Sequence, residues 1–249
     1  MKPVIADAWA ALRALTPARI ALGRAGNGLP TGELLRFGLA HARARDAVHA
    51  ALDADRLAGE LRALGLAPIL LRSRAPDRET YLRRPDLGRR LAEDSILEPS
   101  RSEIAILIAD GLSATAVERH AAPLVRSLVA LAPQRWARAA CAIALQGRVA
   151  LGDEVGERMR SQLVCVLIGE RPGLSSPCSL GAYLTWVPRV GRTDAERNCV
   201  SSIRPEGLGY EAAARRIDWI AAAGLARGMT GVGLKDESAG RLDTNTGNK

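Results

Sequence analysis

Three stretches decide the fold: Glu103-Ile-Ala-Ile-Leu-Ile-Ala-Asp110, Arg138-Ala-Ala-Cys-Ala-Ile-Ala-Leu145 and Leu163-Val-Cys-Val-Leu-Ile-Gly169. Each is short and apolar almost throughout, the pattern of a parallel strand covered on both faces rather than one with a wet side. Asn198-Cys-Val-Ser-Ser-Ile203 reads as a fourth strand. Between and after them, residues 114–131, 152–162, 176–185 and 209–227 are long enough for crossover helices. The architecture expected of residues 100–249 is therefore a doubly wound (Rossmann-like) α/β domain with a mostly parallel sheet.

Upstream, the text is helical. Val4, Ile5, Ala8, Trp9, Leu12 and Leu15 fall at helical spacing, Gly23–Thr31 (GRAGNGLPT) breaks the pattern, and Thr31 is placed to cap a helix running to about Asp53. Its expected apolar side is Leu34, Leu35, Leu39, Ala42 and Val48. His41, Arg45 and His49 share one side of that helix; the intervening arginine repels a cation, so the row reads as a polar face rather than a metal site. Residues 67–99 are charged and punctuated by proline, and read as a linker or surface excursion. The domain boundary is placed near Pro99, giving a smaller helical N-terminal domain over 1–99.

The chain has 249 residues, 47% of them apolar, enough for a sizeable core. No run of eighteen apolar residues suggests a membrane span, and the N-terminus lacks a secretory pattern, so a cytoplasmic location is expected. Cys141, Cys165, Cys178 and Cys199 form no C-x-x-C pair and are expected as reduced thiols, with Cys141 and Cys165 buried as small hydrophobes. The net charge of +8 suits an anionic cofactor or acidic partner. Arginines scattered from Arg13 to Arg241, one Phe and three Tyr argue against nucleic acid.

In doubly wound sheets ligands bind beyond the carboxyl ends of the strands. The loops in question are Asp110–Ser113, Gln146–Glu154, Gly169–Pro177 and Ser201–Gly209. The third, Gly-Glu-Arg-Pro-Gly-Leu, holds a carboxylate between glycines that allow a sharp turn, and Ser175 or Ser176 is placed to cap the helix expected at 176–185. A general base and a structural turn are both open readings of Glu170. The serines lack a nucleophile elbow, and Gly23–Gly28 has neither a preceding strand nor a following lysine, which disfavours hydrolysis and stand-alone nucleotide chemistry. The residues alone stop at an α/β domain with a strand-end ligand site; an independent nucleotide-binding enzyme and a basic binding protein are the alternatives.

At these same loops the chain resembles the ethanolamine ammonia-lyase small subunit. The resemblance is carried by ARIALGRAGNGLPT and LAHARARDAVHAALD, then IADGLSATAVERHA, LIGERPGLSSPCSLGAYLTW, TDAERNCVSSIRPEGL and GVGLKD, and it is thin over residues 55–100 and after Asp236. It implies a hetero-oligomer with a large subunit, as a heterododecamer, that converts ethanolamine to acetaldehyde and ammonia by a radical route begun on adenosylcobalamin. It implies that substrate contacts lie on the large subunit, so no catalytic residue and no metal ligand is assigned to this chain. Its cofactor-binding positions carry over to Val149 in QGRVAL, Glu170 in GERPGL and Cys199 in ERNCVS. Cys178 departs from the family's aspartate in SSPDSLG. No D-x-H-x-x-G segment offers a replacement axial histidine, so the cofactor's own base is expected to stay on cobalt. The N-terminus is short beside family members with an extension linked to packaging, which leaves a bacterial microcompartment as the alternative location.

Overall fold

The computed structural model describes residues 9–16, 18–100, 102–176 and 178–238. In chain order the helices are α1 (Ala10–Ala14), α2 (Thr31–His49), α3 (Ala54–Arg62), α4 (Arg78–Arg83), α5 (Ala114–Leu131), α6 (Pro133–Trp136), α7 (Leu151–Arg158) and α8 (Tyr210–Arg227). The strands are β1 (Pro68–Arg72), β2 (Ile104–Ala109), β3 (Ala140–Leu145), β4 (Leu163–Gly169), β5 (Leu180–Trp186) and β6 (Arg197–Ile203). They form one mixed sheet in the order β1-β3-β2-β4-β5-β6, parallel from β1 to β4 and antiparallel at β5 and β6.

The central strands follow from their composition. Every residue of β2 and β4 is buried, because helices cover both of their faces. One face packs on α3, α5 and α8 through Ile104, Ile106, Ile108, Cys165 and Leu167; the other packs on α7 through Leu107, Val164 and Val166. Cys141 and Cys165 are buried free thiols, and desolvation pushes each pKa up to about 12. Ser113 caps α5 by accepting from Ala116 N at 3.2 Å, and Gly228, with φ +65°, ends α8.

Three expectations are corrected. Residues 67–99 are no bare linker: Pro68–Arg72 is an edge strand in parallel register with β3, followed by α4, which Asp77 caps by accepting from Thr80 N at 2.7 Å. The segment 176–185 is not a crossover helix but β5, an antiparallel strand. Leu180, Ala182 and Leu184 alternate onto the core while Tyr183 points to the opposite face, a period of two that rules out a helix. Pro177 lies outside the described residues.

The third correction concerns the N-terminal helices. The helix expected to reach Asp53 ends at His49, and α3 begins at Ala54 behind an Asp53 cap. Pro30 rather than Thr31 stands at the N-cap of α2. Leu34, Leu35 and Leu39 are exposed, and only Ala47 of α2 is buried, because apolar residues are spread around this helix and give it no single inward stripe. His41, Arg45 and His49 are solvent-exposed. Of the helix expected over residues 4–15, residues 4–8 lie outside the described residues and Ala10–Ala14 is helical.

Candidate functional site at the strand ends

The loops after β2, β3 and β4 meet at one edge of the sheet, and a buried carboxylate joins two of them. Asp110 directly follows β2 and accepts from Gln146 N at 2.9 Å and Gly147 N at 3.0 Å. Arg78 from α4 reaches the same carboxylate at 3.5 Å and donates to Gly111 O at 2.8 Å and Val48 O at 2.6 Å. Burial pushes the Asp110 pKa upward against the opposing pull of the two amides and Arg78.

A second brace is aromatic. Tyr81 on α4 is fully buried and donates to Gly147 O at 3.1 Å. The Arg78 guanidinium lies 4.8 Å from its ring centroid and the Arg148 guanidinium 4.2 Å, so the ring is bracketed by two cations. The loop preceding α7 is thus fixed from below by Asp110 and from the side by Tyr81. Sequence reasoning missed Tyr81 and Arg78, which fall in the segment read as a linker; the Asp77 cap and the lone aromatic among charges in RETYLRR are the signals that mark a docked helix there.

The β2 and β4 loops cross with no room to spare. A Cβ on Gly169 would lie 2.1 Å from Ser113 O and 2.6 Å from Asp110 O, and one on Gly111 would lie 2.3 Å from Gly169 O. Gly111 has φ +57°; Gly169 and Gly173 have no positive φ. The glycine before Glu170 therefore serves close backbone approach rather than the sharp turn expected from the sequence.

Glu170 follows β4 and is half-buried, not a free exposed acceptor. Ser179 Oγ donates to Oε2 at 2.6 Å, and Ser202 N donates to Oε1 at 3.1 Å, so the carboxylate ties the β4 end to β5 and β6. Its side chain crosses β5 at Gly181, where a Cβ would stand 3.1 Å from Oε1.

Val149 and Glu170 line one open cavity of about 450 Å³ with Tyr81, Arg148, Arg171 and Tyr183. Cys199 does not line it; it lies on β6 opposite Tyr183 and is exposed, two residues along the strand from Arg197, which Asp153 of α7 covers. Desolvation, with the Glu170 charge adding to it, raises the Cys199 pKa, and the Tyr183 hydroxyl acts the other way. The thiol is thus a neutral surface group. No cluster of three or more His, Cys, Asp or Glu suited to a metal occurs among the described residues, nor any helix long and apolar enough to cross a membrane.

A mixed six-stranded sheet with helices on both faces and a braced cleft at its strand ends defines an α/β protein of doubly wound type. The family model for the ethanolamine ammonia-lyase light chain matches residues 6–235, and the chain belongs to that family. It is 53% identical over 241 residues to the ethanolamine ammonia-lyase small subunit of Xanthomonas campestris pv. campestris strain B100, covering 93% of this chain and 89% of the relative. The small subunit of Bradyrhizobium diazoefficiens is 55% identical over 243 residues (95% and 93%), and that of Azotobacter vinelandii is 50% identical over 251 residues (97% and 93%).

Proposed function

We propose that this chain is the small subunit of an adenosylcobalamin-dependent ethanolamine ammonia-lyase, and that its strand-end cleft and the exposed Cys199 on β6 meet the cofactor beside the large subunit. The observation that carries the reading is the meeting of Val149 and Glu170 in one cavity, with Cys199 exposed on β6 opposite its lining residue Tyr183, in a chain similar along most of its length to curated small subunits. The residues fit the group. A corrin carries peripheral amide donors around a broad apolar plate. Glu170 accepts two donors yet has four lone-pair sites, and Val149 offers an apolar rim.

When bound, adenosylcobalamin supplies the radical by cleavage of its cobalt–carbon bond. This chain's residues bind and orient: Glu170 accepts from the periphery, Val149 excludes water at the rim, and Cys199 contributes a neutral contact. Asp110 and Tyr81 hold the Val149 loop in place. On this reading ethanolamine recognition and turnover belong to the large subunit, as the family resemblance implies, and the working location is the cytoplasm or a microcompartment. Equilibrium dialysis of cobalamin against this chain, the large subunit and their complex tests the reading. Retention that tightens only on assembly supports it; binding to the large subunit unchanged by adding this chain rejects it.

A further inference from the structure

A second cavity, of about 460 Å³, adjoins the first across Arg148 and Val149 and is walled by Arg89, Arg192, Asp194 and Arg197. Two of its four arginines are neutralised within the chain. Arg192 pairs with Glu196, and Arg197 is held by Asp153. Arg89 and Arg148 have no carboxylate partner among the described residues.

Arg148 is also held in place before any ligand arrives. Its guanidinium lies over the Tyr81 ring, Nη2 donates to Tyr81 O at 3.3 Å, and its backbone N donates to Gly88 O at 2.8 Å. Gly88 presses on the aliphatic stem, since a Cβ there would lie 2.9 Å from Arg148 Cγ. That Nη2 bond is the one side-chain hydrogen bond Arg148 makes among the described residues, although a guanidinium carries five donors, and Nε is buried without an acceptor among them. Arg89 follows Gly88 directly and is exposed at the same rim. A clamped, unneutralised guanidinium beside a second one is a preorganised oxyanion site. Together the two present more donors than a carboxylate's pair of oxygens uses, which favours a phosphate group.

We infer that Arg148 and Arg89 form a phosphate-binding corner at the edge of the cofactor face. The phosphate comes either from the phosphodiester of the cobalamin nucleotide tail, a source that rests on the function proposed above, or from free phosphate. The test uses the assembled complex with the large subunit, as wild type, Arg89→Gln and Arg148→Gln. Dissociation constants are measured for cobalamin, for cobinamide, which lacks the phosphate and nucleotide, and for inorganic phosphate. Because Arg89 is exposed and makes no side-chain hydrogen bond or ion pair among the described residues, its variant is expected to leave the fold intact. Arg89→Gln is expected to weaken cobalamin roughly tenfold while cobinamide binding is unchanged, and Arg148→Gln to weaken it roughly ten- to hundredfold.

A complex that binds no cobalamin but holds inorganic phosphate, with that binding lost in both variants, supports the corner and rejects the cofactor reading. Cobalamin binding at wild-type strength in both variants, with no phosphate effect, overturns the corner and leaves the cofactor reading standing. Equal loss of cobalamin and cobinamide in Arg148→Gln, with Arg89→Gln silent, also overturns it, since Arg148 then only props the Val149 loop.

Discussion

Arg197 on β6 and Asp153 in the first turn of α7 are joined by two parallel hydrogen bonds, Nη1 to Oδ1 at 2.6 Å and Nη2 to Oδ2 at 2.8 Å, with both side chains almost wholly buried. Thr185 Oγ1 at 3.0 Å and the Arg192 carbonyl at 2.9 Å also accept from the arginine, and Asp194 Oδ1 lies 3.5 Å from its Nε. The pair locks the antiparallel edge of the sheet to the helix that follows the Val149 loop. Removing one partner strands a buried charge, so Asp153→Asn or Arg197→Met is expected to cost about 3–5 kcal/mol, whereas Asp153→Leu with Arg197→Met recovers most of that loss. Denaturant unfolding of the four proteins checks this; equal stability of a single variant and wild type refutes it.

The two glycines of the GERPG turn differ sharply in what they tolerate. Gly169→Ala drives a methyl into the Ser113 and Asp110 carbonyls, whereas a Cβ at Gly173 meets nothing closer than Ser176 O at 3.7 Å. Backbone atoms cannot swing aside as a side chain does, so Gly169→Ala is expected to destabilise by about 1–3 kcal/mol or more. At about 2–4 °C per kcal/mol for a chain of this size, thermal unfolding separates the two variants, with Gly173→Ala close to wild type.

What was legible in the sequence was what local pattern encodes. β2, β3 and β4 stood out because burial on both faces demands continuous apolar runs, and α5 and α8 because their lengths suit crossovers. β5 was hidden by Gly181 and by serines that mimic a helix start, although Tyr183 and Thr185 alternate correctly for a strand. β1 was hidden because an edge strand buries only part of its surface, leaving Ile69 and Leu70 substantially exposed between charged neighbours. At the candidate site, the rule that ligands sit beyond strand ends pointed to the strand-end loops and to Glu170, and Val149 and Glu170 do line one cavity. Tyr81 and Arg78 were not, because their roles depend on contacts with Gly147 and Asp110 many residues away.

Glu196 gives a pH signature beside the second cavity. Its carboxylate accepts from Thr193 N at 2.7 Å and Thr193 Oγ1 at 3.0 Å and pairs with Arg192. Donation by the Thr193 backbone, followed by Arg192, lowers its pKa from 4.5 to about 2. A carboxylate depressed in the fold stabilises it above the unfolded pKa, and that contribution is lost as pH falls from 4.5 through about 2. The carboxyl carbon of Glu196 should therefore titrate near 2 by NMR, and Arg192→Gln should raise its midpoint. A midpoint near 4.5 in the wild-type protein contradicts the turn geometry.

Glu170 both braces the β4–β5 turn and is proposed to bind the cofactor, and the two roles separate experimentally. Ser179→Ala removes the 2.6 Å brace but leaves the carboxylate with its Ser202 bond and its spare lone pairs. Glu170→Ala removes brace and acceptor together, and Glu170→Gln keeps one acceptor oxygen. If the carboxylate accepts from corrin amides, cobalamin affinity of the assembled complex should fall by about 1.5–3 kcal/mol in Glu170→Ala, roughly ten- to hundredfold. The loss should be smaller in Glu170→Gln and smallest in Ser179→Ala. Apparent affinity for ethanolamine at saturating cofactor should hardly change, because substrate recognition is assigned to the other subunit. Should Ser179→Ala weaken cobalamin as much as Glu170→Ala, the shape of the turn rather than the acceptor controls binding. An unchanged dissociation constant in an assembled Glu170→Ala complex would leave the carboxylate only its bonds to Ser179 and Ser202.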